Sequence, residues 1–386
     1  MSPRPHSAQA ITRLHLEAFR NYDTLNLDLS AAPVILVGEN GAGKTNILEA
    51  ISLLSPGRGL RRAAIAELHN THTPPEKPWA AFFELQGKRG EVSIGMGRDP
   101  ESTPEKERRL LRIDGKTVKG QTALADHANV IWLTPEMDRL LAESASERRK
   151  FADRLAFALD PTHSTRINRY EEAMRSRARL LRDNVTDDAW LNALEASMAQ
   201  DGIAIAAARN EWINHIRHHL NDDPHPFPRV TVTIDGFLEK YLQSHDALDT
   251  EALFKTMLKE NRAHDAASGI TTTGTHRSDL GVHHVTKNMP AHLCSTGEQK
   301  ALLISLVLAQ ARLLCAIHQS APLILLDDIT AHLDEMRRDA LAAQLIALGG
   351  QSWLSGTDTS FFTAFQQKAQ FLTIENGHIK SFVKAA

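Results

Sequence analysis

Two groups of residues, far apart in the chain, have the types and spacing of a single phosphate-handling site. The first is Gly38-Glu39-Asn40-Gly41-Ala42-Gly43-Lys44-Thr45. Glycines at this spacing let backbone N–H groups turn toward phosphate oxygens, with Lys44 reaching the β- and γ-phosphates and the Thr45 hydroxyl ligating magnesium. The second is the apolar run 322–326 that stops at Asp327 and Asp328. Asp327 is placed to hold magnesium through water, and Asp328 to orient and deprotonate an attacking water. A third segment, Ser295-Thr296-Gly297-Glu298-Gln299, lies just before a predicted helix over 300–317, so its hydroxyls, backbone and helix start can bind an anion. Each has a plainer reading: a glycine-rich turn, a pair of helix-capping aspartates, and a capping box formed by Ser295 and Glu298. Their joint occurrence favours ATP with magnesium.

The elements that must position these groups are readable from periodicity. Ile11, Leu14, Leu16 and Phe19, then the alternation Leu25, Leu27, Leu29, predict two strands at a sheet edge around the turn Arg20-Asn21-Tyr22. An apolar strand over 33–37 enters the glycines, and Ile47, Leu48, Ile51 and Leu54 have helical spacing. Short alternating stretches from 79 to 118 predict antiparallel strands with a charged loop at 98–109. Beyond Pro135 come helix-forming segments at 146–159, 167–182 and 189–220. A helix of some thirty residues spans about 50 Å, so the third either projects from the head or packs within a helical subdomain. Pro224, Pro226 and Pro228 end this part, and 230–234 is a strand expected to return toward the head. The cluster Thr71, Thr73, Pro74, Pro75 and Pro78 reads as a surface loop.

Composition narrows the setting. The 386 residues carry 44 Lys+Arg against 47 Asp+Glu, a net charge of only -3, so nucleic-acid contact must come from a local basic patch. Cys294 and Cys315 are too few for a disulfide framework, which fits a reducing cytosol. The greasy run 302–317 is broken by Gln310 and Arg312, and no segment is expected to enter a membrane. The pairs His218-His219 and His283-His284 lack the spaced partners of a zinc site.

The motifs together resemble the ABC-type ATPase head shared by the SMC and RecF families, with Ser295 to Gln299 similar to the signature motif and Leu333-Asp334, after Ala331-His332, to the D-loop. The likeness to the RecF family is more specific. It rests on Phe19-Arg20-Asn21-Tyr22, the stretch Ser55-Pro56-Gly57-Arg58-Gly59-Leu60-Arg61-Arg62, Leu133-Thr134-Pro135-Glu136, Arg148-Arg149-Lys150-Phe151, and Gly274-Thr275-His276-Arg277-Ser278-Asp279-Leu280. The resemblance implies an α/β fold: a P-loop ATPase head built from both chain ends, at 1–135 and 271–386, with a mainly helical arm inserted over 136–270. It implies an ATP- and Mg2+-dependent homodimer in which Ser295, Gly297 and Glu298 of one copy face the nucleotide held by residues 38–45 of the other, with Arg20 and Asn21 counted among the nucleotide-site residues. It also implies a cytoplasmic, weak, DNA-stimulated ATPase of recombinational repair and replication restart. Such a protein binds single-stranded gaps and junctions of single and double strand, places RecA with RecO and RecR, and supports the SOS response.

Candidate DNA contacts are Arg58, Arg61 and Arg62 on a glycine-flanked loop, and Arg175, Arg177, Arg179 and Arg182 on the arm. A solvated helix face laced with ion pairs is the plainer reading of the arm set. His276 is a candidate for dimer contact or coupling. Two features predict slow turnover: Asp328 stands where many ABC ATPases have the longer glutamate, and Ser355-Gly356-Thr357-Asp358 stands where many have a histidine against the γ-phosphate. A turnover number well above about 1 per second would count against a timing switch. Two rival readings stay open. In one, ATP licenses dimerisation and DNA grip with hydrolysis incidental; in the other, the chain is a transporter's ATPase subunit, against which the long insert argues.

Overall fold

The computed structural model describes residues 7–74, 76–99, 102–103, 107–184, 187–220, 226–330 and 333–385. Pro75, Pro224, part of the 98–109 loop, and Ala331-His332 beside the D-loop segment lie outside the described residues. The chain forms two compact units, Met1–Asp138 with Asp223–Phe227 and Leu303–Ala386, and Arg139–Asp222 with Pro228–Leu302.

The first unit contains two six-stranded sheets. One runs in the order His378–Val383, Gln370–Glu375, Val34–Val37, Ser352–Gly356, Leu323–Leu326, Val130–Leu133. Four of its five pairings are parallel, and the outer one between Gln370–Glu375 and His378–Val383 is antiparallel. Val34–Val37, Leu323–Leu326 and Val130–Leu133 are buried at every residue, which accounts for their unbroken apolar runs. The other sheet is antiparallel, ordered Tyr22–Asp28, Ala10–Phe19, Ala80–Gly87, Gly90–Arg98, Arg109–Ile113, Lys116–Thr117. Leu14 pairs with Leu27 and Leu16 with Leu25, so the alternation in the sequence becomes one apolar face. That face shares a single core with Val34, Leu36, Trp353 and Leu372 of the parallel sheet and with Ile47, Leu48 and Ile51 of the helix Lys44–Ser52.

The second unit is built around the helix Asp188–Ile216, which buries residues on several sides, among them Met198, Ile205, Trp212 and the polar Glu195, Asp201 and Arg209. The alternative of a packed helix, rather than a projecting one, is what the structure shows. Gly202 marks a close crossing, since a Cβ there would meet Phe254 Cε1 at 3.0 Å and Tyr170 Cε2 at 3.2 Å. The helices Ala145–Phe157 and His163–Arg182 match the first two predicted segments, whereas the helix Ala247–Glu260 was not anticipated.

The strand Val230–Asp235 does not join a sheet of the first unit. It pairs with Asp279–His284 in a three-stranded sheet completed by Met289–Pro290. This pairing keeps 271–302 with the second unit, so the compact units divide at 138 and 302 where the sequence reading divides at 135 and 270. The division falls within the helix Thr296–His318. That helix is long and apolar enough to cross a membrane, but 78% of its apolar window is buried inside the fold, which is sufficient reason for its composition.

Candidate nucleotide-binding site

The strand Val34–Val37 delivers the chain into residues 38–43, and the helix Lys44–Ser52 leaves it. Two glycines are required by space and by backbone. A Cβ on Gly38 would lie 2.3 Å from the Ile374 carbonyl oxygen. Gly43 has φ +118, and a Cβ there would meet Asn21 Nδ2 and Tyr22 Oη at 2.6 Å. The loop is braced from behind by its carbonyls. Ala42 O accepts from Asn21 Nδ2 (3.2 Å) and from the Gly377 N–H (2.9 Å), and Gly43 O accepts from Tyr22 Oη (3.1 Å). Burial raises the pKa of Tyr22, keeping this donor protonated. The helix start has no side-chain cap and no acid in its first turn, which leaves its N–H groups and positive dipole end for an anion. Gly43→Ala adds left-handed strain of about 1–2 kcal/mol to the clash, so it is expected to weaken nucleotide binding by at least about tenfold in a fluorescent-ATP titration.

Lys44 and Thr45 meet Asp327 and Asp328 around one cavity of about 320 Å3, lined by Asn40, Gly41, Gly43, Lys44, Thr45, Asn46, Arg61, Pro135, Asp327, Asp328 and Ser355. Thr45 Oγ1 donates to Asp327, at 3.0 Å from Oδ1 and 2.9 Å from Oδ2, across 282 residues of sequence. Ser355 Oγ donates to Asp327 Oδ1 at 2.7 Å and accepts from the Asp328 N–H at 2.7 Å. Asp328 has φ +46, a left-handed conformation uncommon for a residue with a side chain. Lys44 Nζ donates to Gly38 O (2.7 Å) and Glu39 O (2.8 Å), bridging its own loop. Burial lowers the pKa of Lys44, and the charges of Asp328 and Asp327 oppose that shift. Thr45 and Asp327 supply hard oxygen donors side by side, the set magnesium takes when phosphates and water complete its shell. No group of three or more His, Cys, Asp or Glu suited to a metal occurs among the described residues.

Other anticipated residues have different surroundings. Arg20 does not line the cavity; its guanidinium grips the buried Glu49 with Nε at 2.8 Å and Nη2 at 2.6 Å, and donates to Glu67 O. Asn21 acts behind the loop, also accepting from Asn46 Nδ2 at 2.7 Å. Arg61, anticipated as a DNA contact, lines the cavity, with Nη1 2.7 Å from Asn46 Oδ1 and 3.3 Å from Glu49 Oε2. Arg58 and Arg62 are exposed.

In the second unit, Ser295 and Thr296 are exposed at the start of Thr296–His318. The Ser295 N–H donates to Glu298 Oε2 at 3.0 Å, the returning half of a capping box. The Lys287 ammonium and the Ser295 N–H hold the Glu298 carboxyl down at about 2. Gly297 has nothing within 4 Å of where a Cβ would be.

Arg177 is not available to DNA. It is fully buried and pairs with Glu195 Oε1 (2.9 Å) and Asp265 Oδ2 (2.7 Å), while Arg175, Arg179 and Arg182 are exposed. His276 is held at both ring nitrogens, 2.8 Å from Tyr170 Oη and 2.8 Å from Thr271 O, and burial lowers its pKa. The roles of Arg61, Asn46 and Tyr22 at this site were not anticipated; Arg61 and Tyr22 stand in segments quoted for the family likeness, and Asn46 follows directly on the phosphate-loop motif.

The sequence matches the family described as RecF/RecN/SMC N terminal domain over residues 10–379. It is 47% identical over 377 residues to the DNA replication and repair protein RecF of Rhizobium rhizogenes, covering 97% of this chain and 99% of the relative. Against the protein of the same name from Rhizobium meliloti the identity is 45%, with the same coverage. Among solved structures, RecF-ATP, a recombination mediator protein in the RecFOR pathway, superposes with a TM-score of 0.81 at 21% identity, covering 97% of this chain and 99% of that one. The Smc head domain derived from Pyrococcus furiosus gives 0.55 at 17% identity, with 97% and 96% covered. Sequence identity over nearly the whole length, with a head fold common to both solved groups, places this chain in the RecF family of DNA replication and repair proteins, within the wider RecF/RecN/SMC group.

Proposed function

We propose that this chain is an ATP-dependent DNA-binding protein of recombinational repair and replication restart, a weak DNA-stimulated ATPase that works as a homodimer. The observation that carries the reading is the convergence of Lys44, Thr45, Asp327 and Asp328 on one cavity at an uncapped helix start. A triphosphate would take the loop N–H groups and draw the Lys44 ammonium from the carbonyls of Gly38 and Glu39. Magnesium, held by Thr45 and Asp327, would neutralise charge on the phosphates. Asp328 would orient the water and accept its proton, and Arg61 adds a guanidinium to the cavity wall.

The dimer reading is supported by Ser295 and Thr296, exposed at a helix start, and by the open space around Gly297. A second copy's γ-phosphate fits that chemistry. Arg58 and Arg62 are the remaining head candidates for DNA phosphates, beside Arg175, Arg179 and Arg182 in the second unit. RecR, RecO and RecA are the partners, the cytoplasm is the location, and support of the SOS response is the physiological role this reading assigns. The shorter Asp328 and the absence of histidine at 355 support slow turnover.

Sedimentation with ATP and magnesium, with and without a gapped duplex, tests the reading. The expected result is an ATP-dependent dimer that holds DNA, and a Lys44→Met chain that stays monomeric. A parent chain that remains monomeric with both ligands would remove Ser295 from any composite site.

A further inference from the structure

Ser355 is the next-to-last residue of the buried strand Ser352–Gly356 and is itself 0% exposed. Its hydroxyl is tied to both aspartates: it donates to Asp327 Oδ1 and accepts from the Asp328 N–H, each at 2.7 Å. A hydroxyl has a single hydrogen, and this one is spent on Asp327. Ser355 therefore cannot replace a histidine as a direct donor to phosphate while that bond holds. What it does instead is fix geometry. Asp327 accepts from both Thr45 and Ser355, and the turn that puts Asp328 at φ +46 is pinned by its own N–H.

We propose that Ser355 is a positioning residue for hydrolysis, holding Asp327 against Thr45 and the Asp328 carboxylate toward the cavity. The inference rests on the reading of Asp328 as the group that activates water. Without the hydroxyl, the Asp328 N–H loses its partner and the left-handed turn is free to relax. A displacement of about 1 Å at a reacting group costs on the order of a hundredfold in rate, whereas the phosphate contacts of Lys44 and the loop N–H groups are untouched.

The test compares the parent chain, S355A, S355T and D328N for turnover number, for affinity toward fluorescent ATP with magnesium, and for hydrogen exchange over 320–330. S355A is expected to lower turnover about 10- to 100-fold with ATP affinity within about threefold of the parent and faster exchange at 328. S355T, which keeps the hydroxyl, is expected to restore turnover. The inference is overturned if S355A turns over like the parent while D328N does not, if S355A loses affinity in proportion to rate, or if a folded S355T that binds ATP stays as slow as S355A. Should the added methyl of S355T unfold the chain, the two readouts of S355A decide alone. D328N turning over at the parent rate would instead sink the underlying reading of Asp328, whatever S355A does.

Discussion

Asp328→Asn is expected to hydrolyse ATP at least about a hundredfold more slowly than the parent chain, the scale set by loss of a positioned general base, while binding it as tightly. The structure makes this a clean substitution. Position 328 has φ +46, and asparagine enters that region more readily than most side chains, so the backbone has no reason to move. The bond to Ser355 comes from the backbone N–H and survives. Asp327 and Thr45 keep their contacts, so the oxygen donors suited to magnesium remain. What is lost is one negative charge and one proton acceptor in the cavity. Single-turnover hydrolysis beside nucleotide affinity checks this, and a D328N chain as active as the parent refutes the role. Long-lived DNA-bound dimers in this variant, together with failed repair, would also separate a cycle that needs hydrolysis from one in which ATP only licenses DNA grip.

Arg209→Met is expected to destabilise the chain by about 3–5 kcal/mol at neutral pH, the cost of leaving buried carboxylates unpaired. Arg209 is 3% exposed at its side chain; Nε and Nη2 reach Asp153 at 2.8 and 3.0 Å, and Nη1 reaches Glu239 Oε1 and Thr275 O, each at 2.8 Å. Burial pushes the Asp153 carboxyl up, but Arg209, with His163 beside it, pulls it down further, to about 2. A carboxyl whose folded pKa is depressed stabilises the fold above its unfolded value, and that contribution is lost as pH falls toward 2. In the variant the sign reverses, because burial acts without its main counter-charge and Asp153 is driven up. The penalty should therefore shrink as the medium is acidified and the carboxyls protonate. Urea unfolding followed through tryptophan fluorescence, with Trp212 fully buried in the same helix, measures both effects. A neutral-pH loss below about 1 kcal/mol would show that the network contributes little.

The sequence was informative where chemistry is local and less so where it depends on a distant partner. The glycines of 38–43 mark a loop because Gly41 and Gly43 take positive φ and Gly38 has no room for a Cβ, and 323–326 read as a strand because burial on both faces leaves no polar position. Charge is different. Arg177 shares helical spacing with the buried Tyr170, Ala173, Leu180 and Leu181, unlike Arg175 and Arg179, but the acids that hold it in the core, Glu195 and Asp265, are distant in sequence. Arg20 and Arg61 both converge on Glu49, an acid whose full burial no periodicity reveals. The role of Ser355 was hidden for the same reason: the sequence shows that a histidine is missing, while the bonds to two aspartates are visible only once the parallel strands are aligned.

The parallel sheet also sets a timetable. Val34–Val37 lies between Ser352–Gly356 and Gln370–Glu375, so neither neighbour of this strand exists until the ribosome has passed residue 352. Roughly 300 residues separate the strand from its first partner, and at about 5–20 residues per second it waits on the order of 15–60 s with its apolar edges unpaired. The residues of the second unit are synthesised wholly within that interval. A chain cut between residues 45 and 352 therefore carries the phosphate-loop sequence without either sheet neighbour of the strand that delivers it, and is expected to be a substrate for chaperones and proteases rather than a site for ATP.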